Sequence, residues 1–69
     1  MSTIHQSDAD ALLMEAHAAR FLSMSDRTLQ AWRVRGIGPS YIRVGRSIRY
    51  RMSDLLKWIE ENLVSTSEK

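Results

Sequence analysis

The chain has no cysteine among its 69 residues. That excludes a disulfide framework, a thiolate zinc or iron–sulfur site and catalysis through a thiol, so the fold must rest on packing alone. It also lacks the apolar run of about 18 residues that a membrane span requires. Its polar, acid-containing start, residues 1–10, has neither the basic nor the apolar part of a secretory signal. A cytoplasmic protein is therefore expected. Histidine is scarce: His5 lies in the polar start, and His17 has no second ligand at metal spacing, so no metal or cofactor is expected. The acids Glu15, Asp54, Glu60 and Glu61 have no nucleophile or base beside them, and so short a chain cannot wall off a dry cleft. No enzymatic activity is expected, and Glu60 and Glu61 read as a solvated face. The length also limits the chain to one domain, because it buries too little surface for two cores.

Lysine is nearly absent from the chain's basic side chains, and arginine takes its place. From Arg20 to Arg51 there are eight arginines and a single acid, Asp26, which leaves a local charge of +7. The flanks hold two lysines and seven acids, a charge of −5, and the two parts return the net +2. Such a division says more about partners than the total does. The planar guanidinium fork suits phosphate and guanine better than a point-charge ammonium, so the concentration of arginine points to nucleic acid.

Residues 1–10 show no apolar periodicity and read as a flexible leader, and residues 64–69 read as a frayed tail, leaving residues 11–63 as the domain. Leu12, Ala16, Ala19 and Leu22 recur at helical spacing, with Leu13 and Phe21 widening the stripe, which predicts a first helix over 12–22. Ser23, Met24 and Ser25 interrupt it. Ser25 is suited to cap a second helix over 26–35, which Gly36 should close. Leu29 and Trp32 form the inward face of that helix; Arg27, Gln30, Ala31 and Val34 project outward. Two helices joined by a three-residue turn make a helix-turn-helix candidate.

After the turn-rich Gly36-Ile37-Gly38-Pro39, residues 41–44 and 47–51 alternate around Gly45-Arg46 and predict a β-hairpin. Ile42, Val44, Ile48 and Tyr50 are expected to face the core, with Arg43, Arg49 and Arg51 on the other face. Ser53 is suited to cap a last helix through Asn62 that packs Leu55, Trp58 and Ile59. Trp32, Trp58 and Tyr50 read as core, Tyr41 as half-exposed, and Arg49 with Asp54 as an ion pair joining hairpin to helix. Met1, Met14, Met24 and Met52 share no helical period and read as gap fillers. The fold class is thus mainly α with a small β-hairpin: three helices and a two-stranded antiparallel wing, a winged helix-turn-helix.

The residues Ala18-Ala19, Leu22, Met24-Ser25, Thr28-Leu29, Trp32-Arg33, Gly36, Gly38-Pro39, Gly45-Arg46, Arg49-Tyr50, Asp54-Leu55 and Trp58 carry a resemblance. In their order and spacing, over about residues 12–62, the chain resembles the MerR-like winged-helix family of phage excisionases and AlpA-type regulators. That family commonly has glycine where this chain has Ser23, which places a serine at an unusual backbone angle. The resemblance implies that the second helix enters the major groove and the Gly45-Arg46 tip acts as the wing. Arg27, Thr28, Gln30 and Ala31 would lie nearest the bases, with Ser25, Arg33 and Arg35 placed for phosphates. Arg46, with Arg43, Ser47 and Arg49 beside it, would grip the backbone or minor groove.

The implied function is sequence-specific binding to double-stranded DNA by an excisionase. Such a recombination directionality factor binds cooperatively, with other copies of itself, near an attachment site, and promotes integrase-mediated excision of a mobile element. An AlpA-like transcription regulator using the same surface is the alternative. Either would be a nucleoid-associated protein of bacterial or phage origin. A different class, a module whose basic hairpin docks on an acidic protein, would lose the salt-sensitive duplex binding that the first two share.

Overall fold

The structure, a computed structural model, describes residues 11–65. The expected leader over 1–10, with Met1 and His5, and residues 66–69 of the expected tail lie outside the described residues. Six elements follow one another: β1 (Leu12–Met14), α1 (Glu15–Phe21), α2 (Asp26–Arg35), β2 (Ile42–Val44), β3 (Ser47–Arg51) and α3 (Met52–Glu61). Three helices and an antiparallel sheet make a winged helix-turn-helix, as the apolar patterning predicts. The sheet, however, has three strands in the order β1-β3-β2.

The third strand corrects the first helix. Residues 12–14 are extended: Leu13 lies opposite Tyr50, Leu12 opposite Arg51 and Met14 opposite Arg49. The Met52 amide also donates to the Ala11 carbonyl at 2.9 Å. Because strand side chains alternate, Leu13 turns inward while Leu12 and Met14 are each 52% exposed. Helix α1 therefore begins only at Glu15 and contributes Ala18 and Ala19 to the core.

Both ends of the helix-turn-helix close in the same way. After α1, the Ser23 amide donates to the Arg20 carbonyl at 3.0 Å and the Met24 amide to that of Ala19 at 2.8 Å. After α2, the Gly36 amide reaches Arg33 at 3.1 Å and Ile37 reaches Trp32 at 2.9 Å. Each is a Schellman closure, which needs a left-handed residue at its pivot. Gly36 takes that conformation at φ 73 without a Cβ to hinder it, whereas Ser23 adopts φ 59. Ser23 thus takes the unusual backbone angle that the resemblance implied.

Ala18, Ala19, Leu29, Tyr50 and Leu55 are buried, and Leu13, Leu22, Trp32 and Ile48 pack against them. Trp32 and Trp58 sit 5.3 Å apart between ring centroids and tilted by 47°, half-buried at the edge of this cluster. Gly38 passes so close over Trp32 that an added Cβ would lie 2.8 Å from its Cε3.

The hairpin register overturns the expected inward set. With the two-residue turn Gly45-Arg46, Val44 pairs with Ser47, Arg43 with Ile48 and Ile42 with Arg49. Directly opposed residues share a face, so Ile48 and Tyr50 share theirs with Arg43, and Ile42 and Val44 lie on the face of Arg49. Val44 is accordingly 60% exposed. Helix α3 begins directly at the end of β3, with Arg51 in the cap position and no side-chain cap, so Ser53 does not cap it. Asp54 pairs with Arg51 at 3.1 Å, one helical turn away, and not with Arg49, which donates to the Ile48 carbonyl at 2.8 Å.

Candidate nucleic-acid interface

Helix α2 begins where the Ser25 hydroxyl accepts the Thr28 amide at 3.1 Å. The Thr28 hydroxyl joins it at 2.9 Å, so Ser25 and Thr28 lock each other at the helix start. This is the cap the sequence predicts, and it gives the first turn a fixed direction. With Leu29 buried and Trp32 against the core, the helical period places Arg27, Ala31 and Val34 at the centre of the opposite face, with Gln30 and Arg35 flanking them. All five are exposed. Arg20, Arg27, Arg35 and Arg46 make no ion pair with any described residue, so their charges are directed to solvent. Arg46 stands at the tip of the β2–β3 turn, where Gly45 at φ 61 supplies the left-handed first position of a tight hairpin. Arg43 and Ser47 are exposed beside it. Arg43 lies 6.0 Å from the centre of the Tyr41 ring.

Arg33 departs from the expected set. Its Nε donates to Glu15 Oε2 at 2.8 Å and its Nη2 to Oε1 at 3.1 Å, a two-pronged pair reaching from α2 to the first residue of α1. The Tyr50 hydroxyl donates to the same carboxylate at 3.4 Å. Arg33 is also 5.8 Å from the Tyr41 ring centre. Its fork is occupied internally, so Arg33 acts as a strut that sets α2 against α1 and β3. Sequence reasoning missed this clamp because its members are 18 and 35 positions apart and no local pattern joins them.

Hydrogen bonding from Arg33 holds the Glu15 carboxyl below its usual value against the opposing effect of burial, and Gln30 contributes to the same lowering. Burial and the Glu15 charge push the Tyr50 hydroxyl up to about 12. A carboxyl depressed in the folded state stabilises the fold above its unfolded value of 4.5, and that contribution disappears as pH falls through the lower folded value. Glu15→Gln should accordingly cost about 1–2 kcal/mol at pH 7, in line with a charge-assisted hydrogen bond. Denaturant unfolding of the two proteins should converge as pH falls through the lowered folded value of Glu15, below which the wild-type carboxyl is itself neutral. A constant difference across that range would contradict the clamp.

Among the described residues no group of three or more His, Cys, Asp or Glu is placed to hold a metal, and no helix is long and apolar enough to cross a membrane. His17, Glu60 and Glu61 are exposed.

The outward α2 face and the arginine tip have the layout of a helix-turn-helix with a wing, and residues 15–63 match the family described as a helix-turn-helix domain. No curated protein matches the chain.

Proposed function

The chain belongs to the helix-turn-helix domain family, and from that premise we propose that it is a MerR-like excisionase. It binds double-stranded DNA sequence-specifically and cooperatively near an attachment site, and it turns an integrase toward excision of a mobile element. The observation that carries the DNA-reading part is the outward face of α2, where Arg27, Gln30 and Ala31 are exposed on a helix whose start and end are both capped. In this reading α2 lies in the major groove. Arg27 offers its fork to guanine O6 and N7, Gln30 presents an amide to adenine, and Ala31 is small enough to let the helix approach closely. Thr28 holds Ser25 at the helix start, where backbone donors and the helix dipole favour a phosphate. Arg35 takes another phosphate, and Arg46, with Arg43, Ser47 and Arg49, grips the backbone or minor groove at the wing.

The excisionase role rests on the family resemblance in the residue pattern. It is also consistent with a modest footprint that makes neighbouring copies useful. About five phosphate contacts should give a slope of about −4 to −5 for log K against log salt. Outside α2 and the wing, Phe21, Leu56 and Ile59 leave apolar surface exposed, which gives neighbouring copies a place to touch.

Two adjacent sites on one duplex should therefore fill together in a gel-shift titration, while a single site binds weakly and with that salt slope. Independent filling of the two sites would count against an excisionase. In the host, deleting the gene should abolish the excised circle of the mobile element. Unchanged excision with altered transcription beside the bound site would instead identify a regulator of the AlpA type.

A further inference from the structure

We infer that Val34, together with Ala31, forms a site on α2 that reads the C5-methyl group of a pyrimidine, thymine or 5-methylcytosine, in the major groove. The inference rests on α2 being the groove helix. Its own observation is Val34, which is 86% exposed, more than any other large apolar residue among the described ones. Fraying does not account for this exposure, because Val34 precedes a Schellman closure in which the Gly36 and Ile37 amides bond back to Arg33 and Trp32. The residue is held in regular helix and presented to solvent.

Val34 follows Ala31 by three residues and Arg27 by seven, so the three lie along one line of the helix, opposite Leu29 and Trp32. Ala31 and Val34 make the adjacent, purely apolar part of that line. Neither can bond to a phosphate, nor to the hydrogen-bonding edges of a base pair. The apolar group that base edges do display in the major groove is the pyrimidine C5-methyl. A β-branched side chain is stiff at χ1 in a helix, so the isopropyl group is already set before contact. At 1.5 Å per residue, Val34 stands about 10 Å along the axis from Arg27, or about three base-pair steps. The methyl should accordingly lie about three base pairs from the base that Arg27 reads.

The test uses the full chain and a duplex enriched from a random library by that chain. Each thymine is replaced in turn by deoxyuridine, which removes the methyl and nothing else, and each cytosine by 5-methylcytosine. One replacement by uracil should weaken wild-type binding about fourfold, the effect of one buried methyl-sized group. If the natural ligand is 5-methylcytosine, methylating one cytosine should strengthen binding by a similar factor. Val34→Ser, folded as shown by an unchanged thermal transition, should bind the methylated and unmethylated duplexes alike.

If no single replacement changes wild-type affinity more than twofold, or if Val34→Ser keeps the full discrimination, the inference is overturned. Failure of the underlying reading shows separately: Arg27→Ala would then bind like wild type, or the wild-type chain would enrich no duplex, and the methyl site would fall with it.

Discussion

Leu29→Ala should leave the chain without a cooperative unfolding transition at 25 °C. Leu29 is fully buried at the centre of the inward face of α2, in a core cluster whose other buried members are two alanines, Tyr50 and Leu55. Truncating a buried leucine costs about 2–5 kcal/mol, because the lost transfer energy is joined by a cavity that the surroundings fill only in part. A chain of this length has a total stability of about 3–10 kcal/mol at the usual 0.05–0.15 kcal/mol per residue. With so few large side chains to close over the space, the upper part of the range is expected. Denaturant titration followed by circular dichroism should show a shallow, non-cooperative loss of helix. A sharp transition displaced by less than about 1 kcal/mol would mean that α2 packs through another face, since an exposed leucine is nearly neutral.

Arg27→Ala should behave in the opposite way, leaving stability untouched while lowering affinity for the preferred duplex by about 1–3 kcal/mol, a factor of about 5 to 150. Arg27 is exposed and bonds to no described side chain, so its removal strands no internal partner. All of the loss should appear in binding. The contrast with Arg33 is instructive, because a change there would release Glu15 and Tyr50 and lower binding through the fold. Arg46 stands between these cases, free of the core but remote from the base edges in this reading. Its removal should weaken all sequences evenly and reduce the salt slope by about 1.

The parts legible in the sequence are those specified by neighbouring residues. Ser25 and Gly36 mark the ends of α2 through hydrogen bonds that span three to five residues, and both marks hold in the structure. The left-handed Ser23 likewise follows from the glycine common at that position in the excisionase-like family the sequence resembles.

The first strand depends on a distant partner. Leu12, Ala16, Ala19 and Leu22 have helical spacing, but pairing with β3, nearly forty residues away, captures residues 12–14 as a strand. The hairpin register, by contrast, is set locally. A two-residue turn sets an odd-numbered residue of β2 against an even-numbered residue of β3, so Ile42 and Val44 could not share a face with Ile48 and Tyr50. The apolar alternation of each strand, read separately, concealed this. Ser53 looked like a cap because serine favours that position, yet β3 runs into α3 without a spacer and the helix starts at Met52. As for the site, the outward residues of α2 followed from helical periodicity, whereas the internal engagement of Arg33, which the resemblance places at a phosphate, depends on Glu15 being folded back against it.

The central claim, that the outward face of α2 reads bases while the wing supplies affinity, is tested most directly by selecting binding sites from a random duplex library with the wild-type, Arg27→Ala and Arg46→Ala chains. The wild type should enrich one motif. Arg27→Ala should enrich the same motif with its preference relaxed at one base pair, and Arg46→Ala should keep every preference at lower affinity. If Arg27→Ala instead returned the unaltered motif at unaltered affinity, the recognition face would lie elsewhere on the molecule.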